Sequence, residues 1–216
     1  MKKYFSLVMA IIAISSIMMS CSKDDKDESA TNSVKRSITI KTSDYTKWTY
    51  FSFEKGDTVA VPANFKNDKT WDLALHRWDV RTNSGESGIG QGGAYAVAYS
   101  IKDVTEESTL ASWSIPVLSA SFTKDSLIKT YMNIPNMYAD SDADQRVDVP
   151  ANTVLGSWMV VKMASIPPTY AMTENAFVVK TANGKYAVVQ FTNYMNDKAE
   201  KGYVTFEYIY PVTIWN

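Results

Sequence analysis

From Arg36 onward the chain is written in short runs that alternate apolar and polar residues, separated by turn formers. Ser37-Ile38-Thr39-Ile40-Lys41 has the two-residue period of a half-buried strand. Trp48-Thr49-Tyr50-Phe51-Ser52-Phe53 is aromatic and β-branched, and Glu54-Lys55-Gly56-Asp57 then reads as a turn into Thr58-Val59-Ala60-Val61. Trp71 to Arg81 is a further extended segment, and it leads into a glycine-dense loop from Gly85 to Gly93. Ala94 to Ile101 is small and aromatic, and Val104 to Trp113 allows a short helix. Strand patterns return from Phe122. Ser157 to Met163 alternates, with Ser157, Met159, Val161 and Met163 on one face and Trp158, Val160 and Lys162 on the other. Pro167-Pro168 breaks that ladder, because neither proline can donate a backbone hydrogen bond. Ala176–Lys180 and Tyr186–Phe191 flank Asn183-Gly184, which supplies the positive φ of a tight hairpin turn. Gly202 to Tyr210 alternates and closes the sheet. No repeat of solenoid period is present. The pattern predicts an all-β, mainly antiparallel single domain with hairpin connections and few short helices.

The N-terminus does not follow this pattern. Met1-Lys2-Lys3 precedes a mostly apolar run from Tyr4 to Met19, and Ser20-Cys21 follows. A short basic region, an apolar core of about fifteen residues and a small residue before the cut make a secretory signal. The run is short for a membrane span. Cys21 is the only cysteine, so it has no internal disulfide partner, and it stands where a lipoprotein signal peptidase leaves residue one. The stretch resembles a bacterial lipobox, with Met18 where Leu is usual. Residues 1–20 are therefore expected to be a lipoprotein signal peptide. Residues 21–35 are expected to be an acylated cysteine and a disordered tether, because Ser22 to Lys35 holds almost nothing to bury. Residues 36–216 are the β domain. Acyl chains on Cys21 supply a membrane anchor. The acidic run after Cys21 resembles the surface-export signal of Bacteroidota lipoproteins, which places the domain outside the cell.

Charge and composition narrow the function. Without residues 1–20 the chain has 196 residues, and twenty basic side chains stand against 23 acidic ones, a net charge of −3. No basic excess points to nucleic acid, and no polybasic cluster points to a charge-driven membrane contact. Six Trp, twelve Tyr and seven Phe remain, so the fold is held by packing rather than by bridges.

Catalytic constellations are scarce, and no enzyme activity is expected. His76 is the sole histidine, there is no Gly-x-Ser-x-Gly elbow, and no Cys/His metal spacing occurs. His76 sits inside an aromatic strand pattern and reads as a structural residue. The Gly85–Gly93 run lacks the Gly-Lys-Ser/Thr of a phosphate loop and reads as a turn-rich connection. Asp140, Asp142 and Asp144 lack the glycine and closing glutamate of a calcium loop and read as a solvated acidic loop. Methionine is the unusual residue: Met132, Met137, Met159, Met163 and Met172 crowd one part of the chain, and Met195 follows. By composition they fill core gaps. Clustered thioethers are also soft ligands for haem iron or Cu(I).

Three strings carry a family resemblance: Trp48 to Gly56, Asn67 to Arg81 with its Leu75-His76-Arg77-Trp78-Asp79-Val80-Arg81, and Gly85-Glu86-Ser87-Gly88. Together they resemble the N-terminal signature of the HmuY family, haem-binding surface lipoproteins, or hemophores, of Bacteroidota. Pro168-Thr169-Tyr170, the Asn183-Gly184 hairpin, Val189 to Tyr194 and Val204 to Val212 are similar to the family's C-terminal part. The likeness covers most of residues 36–213 and is weakest from about 95 to 155. It implies a hand-shaped, almost all-β domain that grips one haem (iron protoporphyrin IX) between loops.

The founding member of that family holds iron with two histidines, and His76 is not at a ligand position. The resemblance places Met163, seven residues before Tyr170, at one ligand position and Met137 at the other, with Met132 or Met172 as substitutes. It also implies a handover of haem to a TonB-dependent outer-membrane haem receptor, with host haemoproteins as a haem source. The expected place is the outer membrane, lipid-anchored and surface-exposed, with shedding or vesicle release as a further fate. Two other functions stay open to an aromatic-rich, lipid-anchored β domain: a surface adhesin or glycan-binding module without haem, and an assembly or structural lipoprotein with no small ligand.

Overall fold

The structure is a computed structural model, and it describes residues 35–60, 63–98, 100–103, 122–136, 138, 144–162 and 168–212. The described residues belong to one compact unit. Every strand pairing among them is antiparallel.

A five-stranded sheet is the main platform. Its strands are β1 (Lys35–Lys41), β6 (Gly93–Ala96), β11 (Phe177–Lys180), β12 (Tyr186–Met195) and β13 (Lys201–Val212), in the order β1-β13-β12-β11-β6. The expected alternating strand near residue 37 is β1, which pairs Ile38 with Phe206 and Ile40 with Val204. β13 was expected to close the sheet, but β1 pairs along its outer side and makes it an interior strand. The Asn183-Gly184 turn joins β11 to β12, with Gly184 at φ 83 and its N–H donating to the Thr181 carbonyl at 3.1 Å.

A four-stranded sheet lies against this platform, in the order β3-β2-β4-β5. Its strands are β2 (Thr49–Ser52), β3 (Asp57–Val59), β4 (Leu73–His76) and β5 (Asp79–Thr82). The expected extended segment from Trp71 to Arg81 is thus two strands. They pair Leu75 with Val80 and His76 with Asp79, leaving Arg77-Trp78 as a two-residue turn. The period-two pattern then sorts the residues between two cores. Phe51, Leu73, Leu75 and Val80 face the platform and pack with Phe53, Val189, Phe191, Phe206 and Tyr208. Tyr50 and Ala74 face the other way and join Trp48, Trp71, Val149 and Ala151. The four-stranded sheet is therefore a middle layer with both faces buried, which is why β4 and β5 are buried at every position. Phe51 meets Phe53 and Phe206 edge-on, with centroids 5.1 and 5.2 Å away. Such pairs contribute about 0.5–1.5 kcal/mol each beyond their buried area.

Two small hairpins complete the described residues. β7 (Ser126–Thr130) pairs with β8 (Val147–Ala151), and β9 (Met159–Lys162) pairs with β10 (Thr169–Met172). A single helical turn, α1 (Thr153–Gly156), joins them. The Asn152 side chain accepts from the Leu155 N–H at 3.0 Å and starts this turn. It also shifts the expected alternation, because Trp158 belongs to the end of the turn and is fully buried, while Val160 is exposed. The expected short helix from Val104 to Trp113 lies outside the described residues.

The glycine-dense loop is a structural connection, as its sequence suggested. It wraps the buried side chain of Asn83, which donates to the carbonyls of Asp68 and Trp71 and accepts from the Gly90 N–H. A Cβ at Gly90 would lie 2.5 Å from the Asn83 carbonyl oxygen, so the loop needs glycine for close approach.

Candidate functional site

The signature string folds into the β4–β5 turn, and this turn is the floor on which both hairpins stand. Arg77 takes φ 53, an uncommon conformation for a non-glycine residue. It is held there from both sides: its N–H donates to the Thr42 carbonyl at 3.2 Å, and its carbonyl accepts from the Thr42 hydroxyl at 2.9 Å. The guanidinium lies 4.4 Å from the centroid of Tyr45 and 5.7 Å from that of Tyr194, a cation–π cage in place of a carboxylate. His76 is fully buried. Its Nε2 is 2.7 Å from the Tyr45 carbonyl, and its ring packs on Trp48 at 5.1 Å. Its Nδ1 stands 3.6 Å from Asp79 Oδ2, too far for a hydrogen bond. His76 is thus a core residue, as expected, with no face open to a ligand.

Each hairpin is fastened to this turn by a different residue. The Thr130 hydroxyl at the end of β7 donates to Asp79 Oδ2 at 2.6 Å, and Arg81 Nε donates to the Pro150 carbonyl of β8 at 2.7 Å. On the other side, Trp158 Nε1 donates to the Trp78 carbonyl at 2.8 Å. Tyr170 of β10 meets the Trp78 ring edge-on at 6.1 Å and stacks on Tyr194 at 5.4 Å. Burial pushes the Tyr194 phenol well above its ordinary pKa, so it stays protonated in this aromatic wall. The hairpins therefore flank one turn, β7–β8 over Asp79 and β9–β10 over Trp78.

Their surfaces are unusually apolar. Seven large hydrophobic side chains are exposed among the described residues, and six lie on these hairpins. Leu127, Ile134, Tyr138 and Val147 belong to β7–β8 and its connection, and Val160 and Met172 to β9–β10. Soluble surfaces seldom concentrate such residues without a function.

The methionines divide clearly. Met137 and Met163 lie outside the described residues, one within the β7–β8 connection and one directly after the last residue of β9. Met132 is partly buried against the Trp48–Trp71 core, so it fills space there. Met159 is buried in the main core. Met172 pairs with Met159 across the hairpin and is 41% exposed. Among the described residues no cluster of His, Cys, Asp or Glu is arranged to hold a metal ion. Asp144 is held by Arg146 through three hydrogen bonds, one from the backbone N–H and two from the guanidinium, while Asp140 and Asp142 lie outside the described residues.

Sequence reasoning missed the residue that anchors this region from beneath. Asp125, just before β7, is buried and accepts from the Thr82 hydroxyl at 2.6 Å, the Ser87 hydroxyl at 2.6 Å and Asn152 Nδ2 at 3.0 Å. Burial pushes its carboxyl up to about 6, against the pull of those hydrogen bonds. The buried polar residues Thr82, Ser84 and Ser87 lie far from Asp125 along the chain, so no local pattern marks it.

Fold and site define an all-antiparallel β domain whose two apolar hairpins stand over a signature turn. The chain belongs to the HmuY family, whose model, described as HmuY protein, matches residues 44–208. Three crystal structures are similar to it. A Bacteroides vulgatus protein designated HmuY-like and heme-binding is 27% identical, with a TM-score of 0.63, over 83% of this chain and 93% of that one. A Bacteroides fragilis protein designated a lipoprotein is 25% identical, with a TM-score of 0.67, over 86% and 95%. The apo HmuY analog of Tannerella forsythia is 27% identical, with a TM-score of 0.59, over 84% and 97%. No curated protein matches the chain.

Proposed function

We propose that this protein is a haem-binding surface lipoprotein that takes its ligand between the β7–β8 and β9–β10 hairpins. The observation that carries this reading is the gathering on those two hairpins of six of the seven large apolar side chains exposed among the described residues. Membership of a family of haem-binding proteins supports it. The residues present fit the group. A porphyrin offers a broad apolar face, and the exposed aliphatic and aromatic side chains are suited to cover it. The only imidazole is locked in the core, so thioethers are the soft donors left, and Met137 and Met163 are the proposed axial ligands. Haem bound there would supply an iron open to soft sulfur donors. Met137, from the β7–β8 connection, and Met163, directly after β9, would hold it, and the exposed apolar side chains of the two hairpins would exclude water. Neutral thioether sulfur favours Fe(II) over Fe(III). A lipid on Cys21 keeps the domain at the outer membrane, facing outward, and a TonB-dependent haem receptor receives the haem.

A haem titration of residues 22–216, with and without dithionite, tests this. The expected result is a saturable Soret band with a low-spin spectrum on reduction. A spectrum identical to free haem in both redox states overturns the reading.

A further inference from the structure

A second site lies at the opposite end of the β12–β13 hairpin. Tyr194 and Met195, near the β4–β5 turn, close β12, whereas Tyr186 opens it opposite Val212. At that far end a cavity of about 410 Å³ opens between the β2–β3 turn, the segment before β4 and the β11–β12 turn. Glu54, Lys55, Lys69, Thr181 and Asn183 line it, with Tyr210 and Asp72.

Most of the acceptor capacity in this cavity is already used. Asp72 accepts from the N–H groups of Phe53 and Ala182 at 2.9 and 3.0 Å. Glu54 Oε2 accepts from the Tyr210 hydroxyl at 2.7 Å and from Lys185 at 3.0 Å. The donors are mostly unused. Among the described residues, the ammonium groups of Lys55 and Lys69 and the side-chain amide of Asn183 have no partner. Thr181 also lines the cavity, but it is only 2% exposed and its hydroxyl is sealed from solvent. Three separate turns deliver these donors to one cavity.

We propose that this cavity binds an acidic monosaccharide unit. Two ammonium groups at one cavity select a carboxylate. The remaining donors, with Glu54 Oε1 as acceptor, suit a ring carrying hydroxyls. The volume exceeds what a bare carboxylate, sulfate or phosphate fills. The site lies away from the two apolar hairpins, so it stands or falls separately from haem binding.

The test is an NMR titration of the haem-free protein with glucuronate, using glucose and sodium sulfate as controls. Glucuronate is expected to bind saturably in the millimolar range, shifting the amides of Lys55, Lys69 and Asn183, and more weakly as salt rises. Glucose and sulfate are each expected to bind about tenfold more weakly, and the Lys55→Gln/Lys69→Gln double variant to lose about tenfold in glucuronate affinity. Both lysines are exposed, so the variant keeps its fold, which its melting temperature and response to haem report. Sulfate binding as tightly as glucuronate, glucose binding equally, no saturation, or an unaffected double variant each overturns the proposal.

Discussion

At the scale of single residues, the informative side chains are polar ones buried where packing needs them. Asp125 has a folded-state pKa of about 6 against an ordinary 3.8. The folded protein therefore binds a proton more tightly than the unfolded chain between those values, and stability falls as pH rises from about 4 to about 6. The effect is at most about 3 kcal/mol, at 1.36 kcal/mol per pH unit. Asp125→Asn should flatten that part of the pH profile relative to the parent, and urea midpoints at pH 4.5 and 7 measure the difference. At pH 7 the variant should also lose about 1–3 kcal/mol, because an amide cannot accept all the hydrogen bonds the carboxylate accepts. His76 makes a different point. His76→Ala removes a stacked ring and a hydrogen bond from a sealed core and should cost about 2–4 kcal/mol in chemical denaturation. The folded variant should keep the haem spectrum of the parent. Loss of that spectrum in a folded variant would contradict the methionine assignment.

At the scale of elements, the two hairpins are the units on which the proposed haem site rests. Neither could stand alone, since a lone two-stranded hairpin is marginal in water. Each depends on the signature turn, one through Asp79 and the other through Trp78. If Met137 and Met163 each bring one thioether, the single alanine variants should each weaken binding of reduced haem. The double variant should lose the low-spin six-coordinate spectrum. Met195→Ala, at the end of β12, should leave it intact. A low-spin reduced spectrum in the double variant would move the assignment to Met172, whose side chain is exposed on β10, ahead of Met132, which is packed in a core.

At the scale of the whole molecule, three layers place the two apolar hairpins at one end and the donor-rich cavity at the other. The five-stranded platform buries one face against the middle sheet, and its other face packs Val97, Ile101, Val178, Val188 and Ile209. If Cys21 is acylated, anchoring acts on this assembly as a unit. Cys21→Ala should move the protein from the membrane to the soluble fraction, as fractionation and immunoblotting would show. Unchanged membrane partitioning after a detergent-free wash would exclude the lipid anchor.

What could be read directly along the chain was local. The two-residue period of Ser37–Lys41, the Asn183-Gly184 turn and the signature around His76 pointed to an antiparallel β domain of the HmuY family, because strand period and turn chemistry act between near neighbours. The burial of His76 followed from the same aromatic pattern. Other features depended on residues far apart in sequence. The segment from Trp71 to Arg81 looked like one strand, yet Arg77 could take a positive φ because Thr42, thirty-five residues earlier, holds its backbone from both sides. Trp158 departed from its alternation because Asn152 starts a helical turn just ahead of it. Asp125 and the cavity around Glu54, Lys55 and Lys69 carried no local signal, since their partners arrive from turns distant in the chain. Strand period and turns are properties of neighbouring residues and are legible along the chain, as is the likeness of its motif strings to the family. Which polar groups are buried, which hairpins share a floor and which donors are left unpaired follow from the folded chain alone, because desolvation and hydrogen-bond pairing depend on what folding brings together.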